Sequence, residues 1–509
     1  MSSPTTVDQR TAATPPGSRS GTPATRPVFW AIFPSIMLPM FLAVIDQTIV
    51  ATALPAIASS LGEVQRVSWV VVSYLIAGTI AAPVYGRLGD AFGRRRLMFI
   101  ALIIFMLASV LCALSPNIWM LSAMRIVQGF GGGGLMTLSQ ALVGEAVPPR
   151  ERGRYQGYLA GVAVTSNGLG PVVGGYLTEM FGWPAIFLIN IPIGLLALAL
   201  VQRLDLRRGA QVRGKFDTWG LVLFAGFVSC VILAIEQVQH ADAQSLAVSG
   251  ALLFCAAMLV VVLWRHEQHV ALPLLPVSLL RDATVWRSDA LAACHGAALV
   301  SLIAFLPIYL RAVRGAPPGE IGLLLMPLTI GIGIGSVITG RIVSRTGCTT
   351  ILPFFGLMVA TASLLFLAYW APYLSIRELP WIFGLNALFM GTVMGVVQVT
   401  VQAVAGPKML GAGAASVQFS RSVGAAFGTA IVSAVLFSIL SATDTDLARQ
   451  FGAIVEQGPN AMLALEPAKQ AVATVEIGNA FRAAFLTIAG FTGLGVWLAW
   501  SIPLRRLEQ

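Results

Sequence analysis

Fourteen apolar stretches of about 17 to 28 residues take up most of this chain, and each is long enough to cross a hydrocarbon core of about 30 Å. A backbone in lipid must satisfy its own hydrogen bonds, so apolar stretches of this length are predicted to be helices. Only 11% of the residues are charged, against about a quarter in a soluble domain. The chain is therefore predicted to be an all-α polytopic membrane protein, and a soluble globule is excluded.

The predicted helices divide the chain into five parts. Residues 1–27 are rich in Pro, Ser, Thr and Gly and are expected to form a disordered cytoplasmic tail rather than a cleaved signal peptide. The remaining parts are a six-helix bundle over 28–202, a linker with two inserted helices over 203–288, a second six-helix bundle over 289–503 and a cytoplasmic tail over 504–509. The inserted helices are predicted near 217–238 and 245–264, and a long outer loop at 441–479.

An internal repeat supports this division. Gly86 in the second predicted helix matches Gly340 in the tenth, and Gly170 in the fifth matches Gly424 in the thirteenth at the same offset. Helices 1 to 6 are therefore predicted to repeat as helices 9 to 14. Helices 7 and 8 are then an insertion, and the fourteen transmembrane helices are arranged 6+2+6.

The basic residues indicate the orientation of the chain in the membrane. The formal charge is +10, and most loop lysines and arginines fall on one side of the predicted membrane. By the positive-inside rule that side is the cytoplasm, and an even number of crossings puts both termini there. The charge therefore encodes topology and gives no reason to expect a nucleic-acid partner. Arginine far outnumbers lysine, which suggests a GC-rich genome and hence a bacterial cytoplasmic membrane.

The run GRLGDAFGRRR, from Gly86 to Arg96, joins predicted helices 2 and 3 on the cytoplasmic side. Gly86 and Gly93 permit close approach and a tight turn, while Asp90 can accept hydrogen bonds from Arg94 or from a helix N-terminus of the opposing bundle. On the residues alone, a basic loop that only sets topology is the alternative. The run resembles the signature between helices 2 and 3 of the major facilitator superfamily.

The resemblance implies the major facilitator fold and a role for this run as an inner gate. In that superfamily the aspartate and arginines of the loop form a latch on the cytoplasmic side. The resemblance would give this role to Asp90 and Arg94, with Glu145 and Arg152 after helix 4 as further members. In the second repeat Ser344 replaces the aspartate, so the latch is expected to be asymmetric.

Two charged residues are predicted in the outer half of the first bundle. Asp46 lies in helix 1, and Arg125 lies in helix 4, where an unpaired arginine costs several kcal/mol. A buried carboxylate beside a cation can change protonation as a cavity opens to one side or the other. Asp46 is therefore the predicted carrier of the coupling proton, and Arg125 the group that lowers its proton affinity. A purely structural role for each side chain is the alternative.

Family signatures surround both charges. The run D-x-T-I-V-x-x-A-L-P that begins at Asp46 resembles the first-helix signature of the fourteen-helix drug:proton antiporters (EmrB/QacA-like multidrug exporters) within the superfamily. The run LSAMRIVQGFGGGG around Arg125 resembles the helix 4 signature, whose arginine is linked to proton transfer. The resemblance thus implies a drug:proton antiporter.

The run GPVVGG in predicted helix 5 contains Gly170, Pro171, Gly174 and Gly175. Proline breaks a backbone hydrogen bond, and the glycines permit a bend and tight packing. An ordinary packing kink is the alternative on physical grounds. The run resembles the antiporter signature of helix 5, although Ser166 stands where that signature usually has glycine.

Seven polar residues within predicted spans are candidates for a central substrate cavity. They are Gln128, Asn167, Asn386, Gln398, Gln402, Gln418 and Arg421. Hydrogen bonding between helices is the alternative role for most of them. Arg421 is a second buried cation that would contact an anionic group or pair with a carboxylate. Asp46 is the only carboxylate predicted deep in the membrane, which argues against a strict preference for dications.

No motif indicates a cofactor, a metal or direct use of ATP. The run His266-Glu267-Gln268-His269 has its histidines three residues apart, whereas a zinc-binding helix places them four apart. No Gly-x-x-x-x-Gly-Lys-Ser/Thr phosphate-binding run occurs in the sequence. The expected energy source is therefore a proton gradient.

The predicted function is a secondary transporter that exports amphipathic drugs or toxic metabolites by alternating access, with antibiotic resistance as the expected phenotype. A proton-coupled uptake symporter is the first alternative, and the Gly170-Pro171 run argues against it. A membrane-embedded enzyme is the second alternative, but it would need clustered carboxylates or histidines. The expected partners are membrane lipids and a small-molecule substrate, with the protein as a monomer. A periplasmic adaptor is left open.

Overall fold

The computed structural model describes residues 26–61, 66–204, 217–238, 243–270, 273–274, 277–443, 451 and 467–507. Within these ranges the chain consists of helices and short turns, with one isolated bridge between Cys348 and Arg506. The predicted N-terminal tail lies almost wholly outside the described residues. So do most of the linker after helix 6 and most of the predicted outer loop.

The helices follow one another closely along the chain. The first half contains α1 (Arg26–Leu61), α2 (Ser68–Phe92), α3 (Arg94–Ala113), α4 (Ile118–Ala146), α5 (Pro149–Phe181), α6 (Ala185–Leu188) and α7 (Asn190–Gln202). Next come α8 (Thr218–Val238), α9 (Ala243–Glu267) and the short α10 (Val277–Leu280). The second half contains α11 (Ala283–Ala312), α12 (Pro318–Thr346), α13 (Ile351–Trp370), α14 (Leu379–Met390), α15 (Met394–Ala405), α16 (Leu410–Thr443) and α17 (Pro467–Ser501).

Twelve helical segments of the described chain are long and apolar enough to cross a membrane, with α6–α7 and α14–α15 each counted as one segment. Two more helices, α4 and α5, are as long, with 29 and 33 residues. They are less apolar because α4 contains Arg125, Gln128 and a run of glycines, and because α5 begins with a charged turn. By length and composition alone, therefore, twelve spans are seen where fourteen are predicted.

Each half has a close helix contact at one of the glycines of the predicted repeat. In the first half, Gly174 lets α5 lie against α1, since a Cβ there would be 2.8 Å from the carbonyl oxygen of Ile49. In the second half, Gly428 lets α16 lie against α11, since a Cβ there would be 2.9 Å from the carbonyl carbon of Ala297. Small residues permit this close approach of helices where no side chain must be accommodated.

The halves touch at the end of the molecule that carries the α2–α3 turn, which we call the Asp90 end. There α2 meets α16, and a Cβ on Gly86 would lie 2.5 Å from the carbonyl oxygen of Gly411. The counterpart contact joins α5 to α12, where a Cβ on Gly153 would lie 3.1 Å from the carbonyl oxygen of Gly340. Gly86 and Gly340 are equivalent in the repeat, so the two contacts are related by the duplication.

Away from the Asp90 end, α5 and α12 separate. Along one face of α5, Val164 contacts Gly333 of α12, with a side-chain carbon 3.5 Å from the Cβ position. Farther along the same face Gly168, Pro171 and Gly175 are exposed, and no atom lies within 4 Å of a Cβ built on either glycine. The halves are therefore in contact at the Asp90 end and apart along this line at the opposite end.

The inserted helices α8 and α9 form a hairpin that packs across the boundary between the halves. Helix α8 contacts both α2 and α16. Phe224 of α8 lies with its ring centroid 5.0 Å from that of Phe419 in α16, and Val84 of α2 joins the same apolar cluster. The insertion thus covers one side of the interface between the two bundles.

Candidate functional site

A buried polar network joins four helices of the first half. An Nη1 atom of Arg125 in α4 donates to Asp46 Oδ2 of α1 at 2.6 Å, and each residue is only 1% exposed. Gln128 Nε2 and Asn190 Nδ2 donate to Asp46 Oδ1 at 2.9 and 2.8 Å. Ser109 of α3 accepts from the same two amides. The structure therefore brings Asp46 and Arg125 together, as their depth in the sequence predicts.

Both carboxylate oxygens of Asp46 have hydrogen-bond partners. Its carboxylate accepts three hydrogen bonds, while Arg125 also donates to Gln128 Oε1 at 2.8 Å and from Nε to Val70 O at 3.2 Å. The guanidinium lies under the ring of Tyr74, with Cζ 4.1 Å from the ring centroid. The ion pair is therefore buried with both carboxylate oxygens hydrogen-bonded, the arrangement in which a charge pair is tolerated away from water.

The glycines of α4 create the space for this arrangement. A Cβ on Gly129 would lie 2.9 Å from Tyr74 Cα, and one on Gly131 would lie 2.9 Å from the backbone nitrogen of Phe105. Both α2 and α3 therefore pack directly on the α4 backbone. This close approach sets the ring of Tyr74 over Arg125.

A cavity of about 630 Å³ lies between the two halves. Its apolar lining includes Val72, Leu75, Phe227, Val231, Phe305, Phe419 and Phe437. Its polar lining consists of Gln47, Tyr74, Thr79, Gln418, Arg421, Ser422, Thr429 and Ser433. Tyr74 lines the cavity, and its ring also stacks on the guanidinium of Arg125. It therefore connects the cavity to the ion pair. Helix α8 closes one wall.

Two of the seven predicted cavity residues line this cavity, Gln418 and Arg421. The other five do not line the cavity. Their amides form hydrogen bonds within the helix bundle, or their side chains lie away from the cavity. Gln128 belongs to the Asp46 network, and Asn386 donates to Ala360 O and Ser363 Oγ at 3.0 and 2.8 Å. Gln402 donates to Gln140 O across the two halves at 3.0 Å. Gln398 is buried in α15, and Asn167 is exposed on α5.

The predicted inner gate joins the two halves through Asp90. Its Oδ1 accepts from Arg94 Nη2 at 2.5 Å and from the backbone N–H of Gly411 at 2.9 Å. Its Oδ2 accepts from the N–H of Ala412 at 3.0 Å. These N–H groups open α16, where the helix dipole and the free donors favour a negative charge. One aspartate of the first half thus caps a helix of the second.

The other predicted gate residues surround this cap. Arg94 Nη1 also donates to Glu145 Oε2 at 2.6 Å, so that arginine links two carboxylates. Arg152 is buried and donates from Nε to Val147 O at 3.0 Å, which makes it a brace of the α4–α5 turn. Gly93 ends α2 with a φ of 95°, a conformation that favours glycine. In the second repeat, Ser344 donates only to Arg341 O of its own helix.

The predicted antiporter run packs α5 against α1 beside Asp46. Gly170 lies directly against Thr48, two residues after Asp46, and Gly174 lies against Ile49 and Thr52. Pro171 and Gly175 occupy the exposed face of the same helix. The run therefore has a packed face, which holds the Asp46 helix, and an open face toward the gap between α5 and α12.

One buried carboxylate contradicts the prediction that Asp46 is the only deep one. Asp289 of α11 is 7% exposed and accepts from Ser416 Oγ at 3.3 Å, while its Oδ2 has no partner among the described residues. The sequence prediction began this helix at 289, whereas α11 starts at Ala283. The missed signal is Asp282, whose carboxylate caps the helix by accepting from the N–H groups of Thr284 and Val285.

Asn190 and Ser109 are the other functional candidates that the sequence did not single out as site residues. Both are uncharged polar residues in predicted spans, and only the tertiary contacts reveal that they serve Asp46. The described residues contain no group of three or more His, Cys, Asp and Glu side chains that could hold a metal. His266 instead contacts Asp217 Oδ1 at 2.8 Å at the base of the α8–α9 hairpin.

A family model described as Major Facilitator Superfamily matches residues 36–429 of the chain. An uncharacterised MFS-type transporter of Mycobacterium tuberculosis strain H37Rv is 33% identical over 431 residues, which cover 84% of this chain and 62% of the relative. The multidrug transporter protein MdtP of Bacillus subtilis strain 168 is 28% identical over 405 residues, covering 79% of this chain and 74% of the relative. Multidrug resistance protein 3 of the same strain is 30% identical over 306 residues, or 60% of each chain.

The first and third of these relatives are covered over less than two thirds of their own length. Solved structures show the same fold at low sequence identity. The human organic anion transporter MFSD10 (TETRAN) has a TM-score of 0.63 and 14% identity, over 93% of this chain and 100% of the other. The proton:xylose symporter XylE has a TM-score of 0.61 and 14% identity, over 94% and 98%. At this identity the likeness concerns the fold alone.

Proposed function

This chain belongs to the major facilitator superfamily and is a multi-pass membrane transporter, and from that premise we propose that it exports amphipathic compounds in exchange for protons. The observation that carries the proposal is the buried Asp46–Arg125 pair, which adjoins a largely apolar cavity through Tyr74. A titratable group and a binding cavity that share one side chain can influence each other. That is the minimum a coupled transporter requires.

The proposal includes fourteen crossings arranged 6+2+6. Helices α4 and α5 are long enough to cross, and each packs lengthwise within the bundle, α4 along α2 and α3 and α5 along α1 and α12. The charged and polar residues that lower their hydropathy are mostly buried in the Asp46 network or near the Asp90 end. Adding these two to the twelve apolar segments gives an even count, with both termini in the cytoplasm.

Export is favoured over uptake by two observations. Several relatives of the chain are named multidrug or efflux proteins. The Gly170–Gly175 run also has the packing role that an antiporter signature needs, because it holds α5 against the helix of Asp46. No contact in the described residues favours a symporter specifically.

The conformation of the protein corresponds to an outward-facing state. The Asp90 end, which the basic loops place in the cytoplasm, is closed by the Asp90 cap and by the contact of Gly86 with Gly411. The opposite end is separated between α5 and α12. In the proposed cycle, Asp46 accepts its proton from outside in this state.

The energies are compatible with proton drive. Removing one partner of a buried ion pair costs about 3 to 5 kcal/mol, so protonating Asp46 would free Arg125 and weaken the packing around Tyr74 by an amount of this order. One charge crossing 100 mV supplies about 2.3 kcal/mol. A pH gradient of one unit adds about 1.4 kcal/mol, so that the two together reach the lower end of this range without ATP.

The experiment uses the full chain in proteoliposomes that contain a pH-sensitive dye, with ethidium and an amphipathic sulfonate as test substrates. Wild type should move protons when substrate is added against an imposed pH gradient. Asp46→Asn should lose this proton flux but keep substrate-for-substrate exchange, because the amide oxygen can still accept from Gln128 and Asn190 and the amide cannot carry a proton. An Asp46→Asn protein that exchanged substrate for protons at the wild-type ratio would refute the proposal.

A further inference from the structure

One cation of the central cavity has no counter-ion. Among the described residues that line the cavity, Arg421 of α16 is the only charged one. Its Nε donates to Gln418 Oε1 at 3.4 Å, which is a long hydrogen bond, and no acidic residue pairs with it in the described part of the chain. An arginine at membrane depth costs several kcal/mol unless it is paired or faces water or a ligand. Its position in the cavity therefore needs a functional explanation.

Three buried carboxylates, in α1, α2 and α11, do not pair with Arg421. Asp46 pairs with Arg125, and Asp90 pairs with Arg94 and caps α16. Asp289 accepts from Ser416 on the same helix as Arg421 but forms no ion pair with any described residue. None of these three carboxylates therefore neutralises the Arg421 guanidinium in the described structure.

The backbone around Arg421 is fixed. Gly296 of α11 lies against it, and a Cβ on that glycine would be 3.2 Å from Arg421 Cγ. His295, which precedes Gly296, is buried, and its Nε2 contacts Met390 O at 3.1 Å. It therefore lies outside the cavity lining and offers the arginine no negative charge. Because the first side-chain carbons are held by packing, the guanidinium is directed rather than freely mobile.

The rest of the cavity fits the apolar part of a ligand. Phe227 and Phe419 lie with ring centroids 6.4 Å apart, one from α8 and one from α16, and both line the cavity near Gln418. Thr429 and Ser433 lie farther along α16 and offer hydroxyl groups. A volume of about 630 Å³ is in the range of cavities that enclose drug-sized molecules.

We propose that this cavity binds amphipathic anions, with the carboxylate or sulfonate of the ligand on Arg421 and Gln418 and its aromatic or aliphatic body between α8 and α16. The inference rests on the proposed export function and names its substrate class. It also gives the inserted pair of helices a role, because α8 supplies one wall of the site. A site for cations would instead place an unpaired carboxylate in the cavity, and the described lining contains none.

The test compares two dyes that share a ring system and differ in charge. The full-length protein in nanodiscs is titrated with the anion 8-anilinonaphthalene-1-sulfonate and with its neutral parent N-phenyl-1-naphthylamine, and empty nanodiscs provide the background. The proteins are wild type, Arg421→Gln and Arg421→Lys. Ethidium serves as the cationic probe.

Arg421→Gln should weaken binding of the sulfonate about tenfold, the size expected for losing a charge-assisted hydrogen bond in a partly hydrated site. Arg421→Lys should restore part of that affinity, and binding of the neutral parent should change less than twofold. Equal losses for both dyes would show that Arg421 only supports packing. An unchanged sulfonate affinity, or wild-type binding of ethidium tighter than that of the sulfonate, would also overturn the inference.

The two proposals fail in different ways. If proton-coupled transport of ethidium occurs and Arg421→Gln leaves dye affinities unchanged, the export function stands and the anion site does not. If the sulfonate binds in an Arg421-dependent manner but never drives proton flux in proteoliposomes, the site stands and proton-coupled export does not. A third variant, Asp289→Asn, checks whether Arg421 uses that carboxylate in another conformation. If it does, sulfonate affinity rises in Asp289→Asn, and the cation belongs to an internal pair.

Discussion

At the residue scale, two buried carboxylates of this protein have opposite surroundings. Asp46 receives three hydrogen bonds, one of them from a guanidinium, whereas Asp289 receives one from a serine hydroxyl. A charge that is buried without a cation is expensive, while one that is paired and fully bonded is tolerated. The first carboxylate is therefore compensated by its partners, whereas the second has no cation beside it among the described residues.

The Asp46–Arg125 pair should show strong energetic coupling. Asp46→Asn and Arg125→Gln are each expected to lower the free energy of unfolding by about 3 kcal/mol, because each leaves its partner charge buried and unpaired. The double variant should lose at least 1 kcal/mol less than the sum, since no charge is then left behind. Unfolding in mixed-detergent titrations measures this cycle. Additive losses would show that the two charges do not stabilise each other.

Asp289→Asn should behave differently from Asp46→Asn. The amide can keep the contact with Ser416, and no cation loses its partner, so the free energy of unfolding is expected to stay within about 0.5 kcal/mol of wild type or to rise. The same mixed-detergent titration gives the comparison. A loss as large as that of Asp46→Asn would mean that Asp289 carries a paired charge in the folded protein.

At the element scale, the closure of the Asp90 end depends on the contact of α2 with α16. Gly86 and Gly411 lie so close that the backbones of the two helices touch, and Asp90 then reaches the first N–H groups of α16. The contact and the cap act together. If α16 moved away from Gly86, its first N–H groups would also move away from the Asp90 carboxylate. Two features only four residues apart thus decide whether this end is closed.

Gly86→Ala should therefore open the Asp90 end. Its Cβ would lie 2.5 Å from Gly411 O and 2.9 Å from Ala415 Cβ, so α2 and α16 must move apart. Spin labels at Phe92 and Lys408, both exposed, should report longer distances by double electron–electron resonance in a background without native cysteines. Gly250→Ala is the matched control, since a Cβ there meets no atom within 4 Å. Identical distance distributions for the two variants would contradict this account of closure.

The same scale explains the two faces of α5. Gly170 and Gly174 pack on α1, so they fix the helix that carries Asp46. Pro171 and Gly175 face the gap toward α12, in line with Gly153 and Val164, which already touch that helix. Small residues on this face leave room for α12 to approach in another conformation. This face is therefore expected to become buried when the halves rock in the other direction.

At the scale of the whole molecule, the number of crossings decides on which side each turn lies. If α4 and α5 both cross, the turn at Pro148 lies on the same side as the α2–α3 turn. If they do not cross, everything between α3 and α6 lies on the other side. The α3–α4 turn, by contrast, is on the outer side in both cases.

Fourteen crossings predict a definite pattern of labelling with a membrane-impermeant maleimide in intact cells. Cysteines placed at Pro116 and at Tyr373, both in exposed turns, should react, because those turns face outward. Cysteines at Pro148 and at Lys408 should react only after the membrane is permeabilised. Reaction at Pro148 in intact cells would limit the protein to twelve crossings.

Hydropathy was enough to predict an all-helical membrane protein, and glycine spacing supplied the prediction of a duplication with two inserted helices. Both signals are local, since each depends on how many apolar residues follow one another or on where small residues recur. The equivalent contacts of Gly86 with Gly411 and of Gly340 with Gly153 agree with the predicted repeat. The start of α11 was missed because a capping aspartate outside the apolar stretch sets it.

The sequence by itself also predicted Asp46, Arg125 and Arg421 within the membrane, although it missed Asp289. Only the tertiary structure decided that the first two pair while Arg421 stays alone in a cavity. It also decided that Gln398 and Gln402 do not line that cavity and that α8 does. The physical reason is that depth follows from position along one helix, whereas the partner of a side chain depends on which face each neighbouring helix presents.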